Sequence, residues 1–133
     1  MPTVAAAVYT VAAAGALLTL GLMLYVSEPW NEDLSHWALL LPFVLLAVSP
    51  YLVLAGLARG LRRDAAKSRI VLTVALLVTV PALVLYALGF QREPDAQYGL
   101  LFLFMPVYQF IAGAVVFTAL WFLVTVLRRR RVR

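Results

Sequence analysis

No cysteine occurs anywhere in these 133 residues. Disulfides, thiolate nucleophiles, iron–sulfur clusters and cysteine-bound zinc are excluded with it. Charge is nearly as scarce, at 13% of residues against about 25% in an ordinary soluble domain. There is one histidine and one lysine, and every other basic residue is arginine. No Asp, Glu, Lys, Arg or His falls within any of the four long apolar runs. An ionisable side chain inside a bilayer is the usual mark of a proton relay, ion path or voltage sensor, so a proton-coupled transporter is disfavoured. With a single His there is no HExxH-type pair, and no stretch reads as a separate soluble domain.

What the chain does have is hydrocarbon. Hydrophobic residues make up 65% of it and the mean hydropathy is +0.97, with the charges confined to three short stretches and a tail. Crossing about 30 Å of lipid takes about 20 helical residues. Runs near 3–26, 37–58, 70–90 and 98–127 meet that length. They lack the polar/apolar alternation of barrel strands, and helices satisfy their own backbone groups in lipid. The fold class expected is therefore all-α: a single domain, 1–133, forming an integral membrane bundle of four transmembrane helices. The first run has no Lys or Arg before it, and its small residues precede the apolar block, so it reads as a retained helix rather than a cleaved signal.

The arginines give direction. Arg59, Arg62, Arg63, Lys67 and Arg69 lie in the middle loop, and Arg128, Arg129, Arg130, Arg131 and Arg133 in the tail, while Arg92 alone lies on the other side. Acidic residues divide the opposite way, with Asp64 against Glu28, Glu32, Asp33, Glu93 and Asp95. The positive-inside rule places both termini and the middle loop in the cytoplasm, in a bacterial inner membrane given the Ala/Leu/Val/Arg bias. The tail "RRRRVR" reads as a stop-transfer anchor rather than a nucleic-acid arm, since it follows an apolar span directly. With Arg59, Arg62 and Arg63 it would touch anionic lipid.

The halves share a layout. Each has Glu-Pro in its outer loop (Glu28-Pro29, Glu93-Pro94), a proline a few residues into the next span (Pro42, Pro106), and Leu-Arg-Arg at the end (Leu61–Arg63, Leu127–Arg129). Two hairpins related by a parallel repeat would give this pattern, about an axis along the membrane normal. So would the ordinary need of any hairpin for an outer turn and an inner arginine stop.

Within the spans, Gln109 stands out because its amide carries donors and an acceptor that all need partners. Pro106, Gln109 and Gly113 follow i, i+3, i+7 and share a helix face, with Tyr108 beside them. Pro106 leaves the Phe102 carbonyl without its amide, and Gly113 admits a close neighbour. One reading is a kinked cleft where Gln109 meets a solute; the favoured one is a hydrogen bond between helices beside a small residue. Pro42, Pro50 and Pro81 predict further bends. Ala5, Ala12, Ala16 and Thr19 suggest a close-packing face on the first helix, and Gly56–Gly60 a weaker one on the second.

At the outer face, Trp30, Trp37 and Tyr98 read as interfacial anchors, and Ser35 and Asp95 as helix N-caps. His36 with nearby carboxylates makes a weak metal candidate, because the ligand set is incomplete. The size matches small four-helix transporters and fluoride channels, but there is neither a membrane-embedded glutamate nor an arginine-containing pore signature. The expectation is a chain with no catalytic chemistry, no cofactor and no nucleic-acid partner. It would act by association with itself, a membrane protein or lipid; the alternative is an oligomeric channel or uniporter built on the kinked fourth helix.

Overall fold

The computed structural model describes residues 2–31, 33–91 and 96–132. Glu32, Arg92, Glu93, Pro94, Asp95 and Arg133 lie outside them, so the cap at Asp95, the second Glu-Pro turn and the carboxylates of the second outer loop are not described; nor is the side chain of Tyr98. Four helices account for nearly all of the rest: α1 Pro2–Ser27, α2 Leu34–Leu61, α3 Ala65–Gln91 and α4 Ala96–Arg131, with a 3-10 turn at Pro29–Asn31. All four are long and apolar enough to cross a membrane, and the described residues contain no strand. At about 1.5 Å per residue, the 36 residues of α4 extend well beyond the thickness of a hydrocarbon core.

The turns follow from local chemistry. α1 ends where Glu28 takes a left-handed conformation, φ 42°, and its amide bonds the Leu24 carbonyl at 3.1 Å. This closes the last turn as a left-handed cap does, on a residue that is not glycine. The expected cap at Ser35 is displaced: Leu34 already opens α2, so the N-cap is Asp33, extended at φ −69°, ψ 165° and without a side-chain bond to the helix.

The helices pack in a rhombus. α1 lies against α2 and α3, α4 lies against α2 and α3, and α2 and α3 meet across the short diagonal, leaving α1 and α4 at opposite corners. A two-fold axis through two repeated hairpins would put α1 diagonal to α3. Instead α1 runs beside α3 and α2 beside α4, so the packing lends the parallel repeat no support.

Each helix is apolar around its circumference, so the buried face is chosen by shape rather than by a polar stripe. On α1 the buried face is Ala5, Val8, Ala12, Gly15, Thr19 and Met23, a 3-4 spacing. The expected Ala5, Ala12 and Thr19 are on it, but Ala16 is only half-buried and Gly15 takes the central position. A Cβ on Gly15 would collide with the Tyr51 ring and sit 2.9 Å from the Thr79 methyl, so this close approach requires glycine. Gly56 and Gly60 face open space and form no seam.

Pro50 is buried within α2 and cannot supply the amide that the Leu46 carbonyl needs. The Ser49 hydroxyl donates to that carbonyl at 2.7 Å and fills the gap. In lipid such a substitute matters, because no water is there to take its place.

Two substitutions test this packing. Gly15→Ala should lower stability by roughly 1–3 kcal/mol through overpacking against Tyr51. Ser49→Ala should cost about 1 kcal/mol by baring the Leu46 carbonyl. Thermal unfolding in one detergent reads both, and an unchanged midpoint for Gly15→Ala would refute the close approach of α1 to α2.

Candidate functional site

Halfway along the bundle the apolar core is interrupted. One cluster of buried side chains lies towards the arginine-bearing end and includes Val8, Leu54, Val71 and Val74; the other, with Met23, Ala47, Ala82 and Met105, lies towards the opposite end. Between them four polar side chains from four helices are buried: Thr19 at 0% exposure, Tyr51 at 2%, Thr79 at 3% and Gln109 at 2%.

Their bonds run across the bundle. Gln109 Nε2 donates to the Tyr51 hydroxyl at 3.3 Å and, at 3.5 Å, to the Val78 carbonyl. Tyr51 Oη and Thr19 Oγ1 are 3.0 Å apart in a further hydrogen bond. A phenol has one proton and can accept as well, so donating to Thr19 is compatible with accepting from Gln109. The amide orientation follows from the Val78 partner: flipped, Gln109 would set oxygen against oxygen. One side chain on α4 thus reaches α2 and α3, and α2 passes the connection to α1. Gln109 Oε1 and Thr79 Oγ1 are buried without a hydrogen-bond partner among the described residues.

Beside the Gln109 amide a pocket of about 220 Å³ opens between α2, α3 and α4. Its walls are apolar, chiefly Pro50, Leu54, Val74, Val78 and Phe117, with Gly113 leaving room on α4. Of the expected intramembrane set, Pro106 and Gln109 are buried together and Gly113 lies over Val74 and Val78. Tyr108 does not join them: it is 52% exposed on the outer surface of α4, as its place off the i, i+3, i+7 face requires. The sequence reading has Tyr51 among the polar groups of the spans but does not single it out as the partner whose hydroxyl receives Gln109. Tyrosine is so common near membrane interfaces that its position alone gave no signal.

The arginine-bearing end is built around Asp64. Its Oδ1 accepts from the amides of Ala66 at 3.0 Å and Lys67 at 3.2 Å, capping α3. The same oxygen accepts from Arg128 Nη2 at 3.2 Å, and Lys67 Nζ lies 3.7 Å from Oδ2. The Ser68 hydroxyl closes the loop on the Leu61 carbonyl at 3.0 Å. The Lys67 amide and then the Arg128 guanidinium hold the Asp64 carboxyl below its ordinary pKa. Both arginine groups, Arg59, Arg62, Arg63 and Arg128 to Arg131, therefore stand at one end of the bundle. An Asp immediately before "AAKS" is a legible cap signal, but the sequence reading counted it only as a charge.

At the other end Trp30 and Trp37 are exposed, as interfacial anchors must be. His36 lies in the first turn of α2, and no group of three His, Asp or Glu side chains comes together among the described residues. In comparisons with protein-family models, curated proteins and solved structures, nothing matches this chain, so the functional argument rests on its own geometry.

Two measurements test the polar centre and the capped end. Tyr51→Phe should destabilise by about 1–2 kcal/mol, since it leaves the Gln109 amide and Thr19 without their shared partner. Gln109→Leu should change stability by under about 1 kcal/mol, because the lost bonds are long and an unpaired buried oxygen leaves with them. A larger loss in Gln109→Leu than in Tyr51→Phe would contradict the arrangement. The depressed Asp64 pKa adds stability that is present above the ordinary carboxylate range and fades as pH falls through the lower folded value. The difference in melting temperature between the parent and Asp64→Asn should therefore shrink from pH 7 towards pH 3; a difference independent of pH would show that charge plays no part in the cap.

Proposed function

We propose that this chain is a small multi-pass protein of the bacterial inner membrane that acts by association rather than catalysis, as an accessory subunit, assembly factor or lipid-contacting scaffold. In this reading its termini and the α2–α3 loop lie in the cytoplasm, where the arginines meet anionic headgroups. The observation that carries it is how the interior polar groups are used. Gln109, Tyr51 and Thr19 bond to one another across helices, which is how a membrane bundle holds itself together. The outer surface supports the same reading. Beyond Gln109 no residue of α4 is buried, and Val115, Phe122, Leu123 and Leu127 stand at least half exposed. Apolar area on that scale needs lipid or a partner to cover it.

One observation favours the channel or uniporter reading: the Gln109 oxygen is buried and unpaired beside the 220 Å³ pocket. A solute passing there would give that oxygen the donor it lacks. Against it, the pocket walls are apolar, whereas selective pores are lined by carbonyls, hydroxyls or charges.

Because the parent has no cysteine, single-cysteine labelling is free of background. In intact cells an impermeant maleimide should modify Asn31→Cys but reach Val132→Cys only after permeabilisation; the reverse would overturn the orientation. Native mass spectrometry after extraction in mild detergent should show the chain with a second copy, another protein or retained lipid. A bare monomer would count against association, and loss of solute flux in Gln109→Leu at an unchanged melting temperature would favour the channel.

A further inference from the structure

We infer that the furrow between the start of α3 and the end of α4 seats a single anionic phospholipid of the surrounding bilayer, with its phosphate among Lys67, Arg128 and Arg129 and an acyl chain laid along Trp121. The furrow encloses about 240 Å³, and Ile70, Trp121 and Val124 complete its lining. Its rim and its floor differ in chemistry. Three cations stand at the rim and, among the described residues, Asp64 is the one carboxylate bonded to them, so three positive charges less one negative leave a net +2. Arg129 makes no ion pair among the described residues and is exposed, which leaves its planar donor fork available for phosphate oxygens. Below the rim the surface is hydrocarbon. Lys67 Nζ lies over the face of the Trp121 ring, 4.5 Å from its centre, so the ammonium is stacked on the indole at the junction of the two surfaces.

The apolar floor does not stop there. Trp121 and Thr125 also line a second furrow, which continues along α4 past Phe117, Thr118 and Phe122 towards the middle of the bundle. Phe117 and Trp121 pack with their ring centres 5.4 Å apart, giving that track a firm aromatic wall. A cationic rim opening onto a hydrocarbon track matches an amphiphile with a phosphate head; a free phosphate would use only the rim. The other arginine cluster lacks this second surface. The shallow site formed by Gly56, Arg59, Gly60, Arg62 and Arg63 contains no apolar side chain to receive a chain.

This inference rests on the membrane-contact reading but is narrower: it concentrates lipid affinity at α3 and α4 and makes Arg59, Arg62 and Arg63 bystanders. The test uses the full chain purified in neutral detergent, with phosphatidylglycerol and phosphatidylcholine of identical acyl chains titrated by native mass spectrometry. Arg129→Gln and Arg63→Gln each remove one exposed positive charge, so both should keep the parent melting temperature. The expected result is tighter binding of phosphatidylglycerol than phosphatidylcholine. Arg129→Gln should weaken phosphatidylglycerol about fivefold, the equivalent of about 1 kcal/mol for one near-surface charge, and Arg63→Gln less than twofold. Equal losses in the two variants, or a loss confined to Arg63→Gln, would overturn the seat while leaving general membrane contact intact. Absence of any preference for phosphatidylglycerol would overturn both the seat and the contact of the arginines with anionic headgroups. Competition by sn-glycerol 3-phosphate as effective as the lipid itself would show that the apolar track contributes nothing, and would overturn the lipid as ligand.

Discussion

The Tyr51 ring of α2 packs directly against Gly15 of α1, and it can do so only because position 15 has no side chain. Much of the interior depends on that contact. With the ring pressed against α1, its hydroxyl is carried to Thr19 on one side and to the Gln109 amide on the other. Tyr51 thus joins α1 and α4, at opposite corners of the rhombus, and Gln109 extends the connection to the Val78 carbonyl on α3. In lipid there is no hydrophobic force to press apolar helices together; close packing at small residues and hydrogen bonds between helices do that work. The individual bonds are weak, and at 3.3 and 3.5 Å those of Gln109 lie at the long end of the range. Their value lies in rotation and register, because an apolar helix without a polar face would otherwise pack equally well at several angles.

The ends of the bundle obey a different balance. Polar groups there are exposed to screening, and the Asp64 cluster holds its place through backbone capping more than through ion pairing. One carboxylate caps α3 and receives Arg128 from α4. The two arginine groups stand at one end because two spans separate them, and the groove beside Lys67 and Trp121 lies at that end. Anchoring and a lipid seat are compatible uses of the same charges: the anchor needs only their sign and location, whereas the seat needs the apolar floor that α3 and α4 form together.

The distribution of surface supports a protein whose business is with its surroundings in the membrane. α3 is the most enclosed of the four helices, while α4 has no buried residue beyond Gln109. A helix that stays so open in the monomer is the natural side for lipid or a second chain.

Element by element, legibility tracked locality. The four spans were plain because hydropathy adds along the chain and needs no neighbour to define it, and the observed helices differ from the expected runs only by a few residues at their ends. Pro106, Gln109 and Gly113 were placed on one face by helical periodicity, and the structure puts that face inward. Tyr108 was grouped with them by proximity in sequence, which periodicity does not respect. Serine is a common cap residue, which points to Ser35, but Leu34 already starts the helix and leaves Ser35 inside it. Gly15 drew no notice among so many small residues, since what distinguishes it is the ring packed against it.

The amino-acid sequence by itself determined that there would be four membrane-length helices, that their interiors would carry no Asp, Glu, Lys, Arg or His, and which loops would gather the arginines; each is a property of composition over a window. Only the tertiary structure decided that α1 packs beside α3, that Tyr51 receives Gln109, and that Lys67 and Arg129 share a groove. Helices apolar on every side encode no preferred face in their hydropathy, so their rotation and order are settled by the fit of one side chain against another across the bundle.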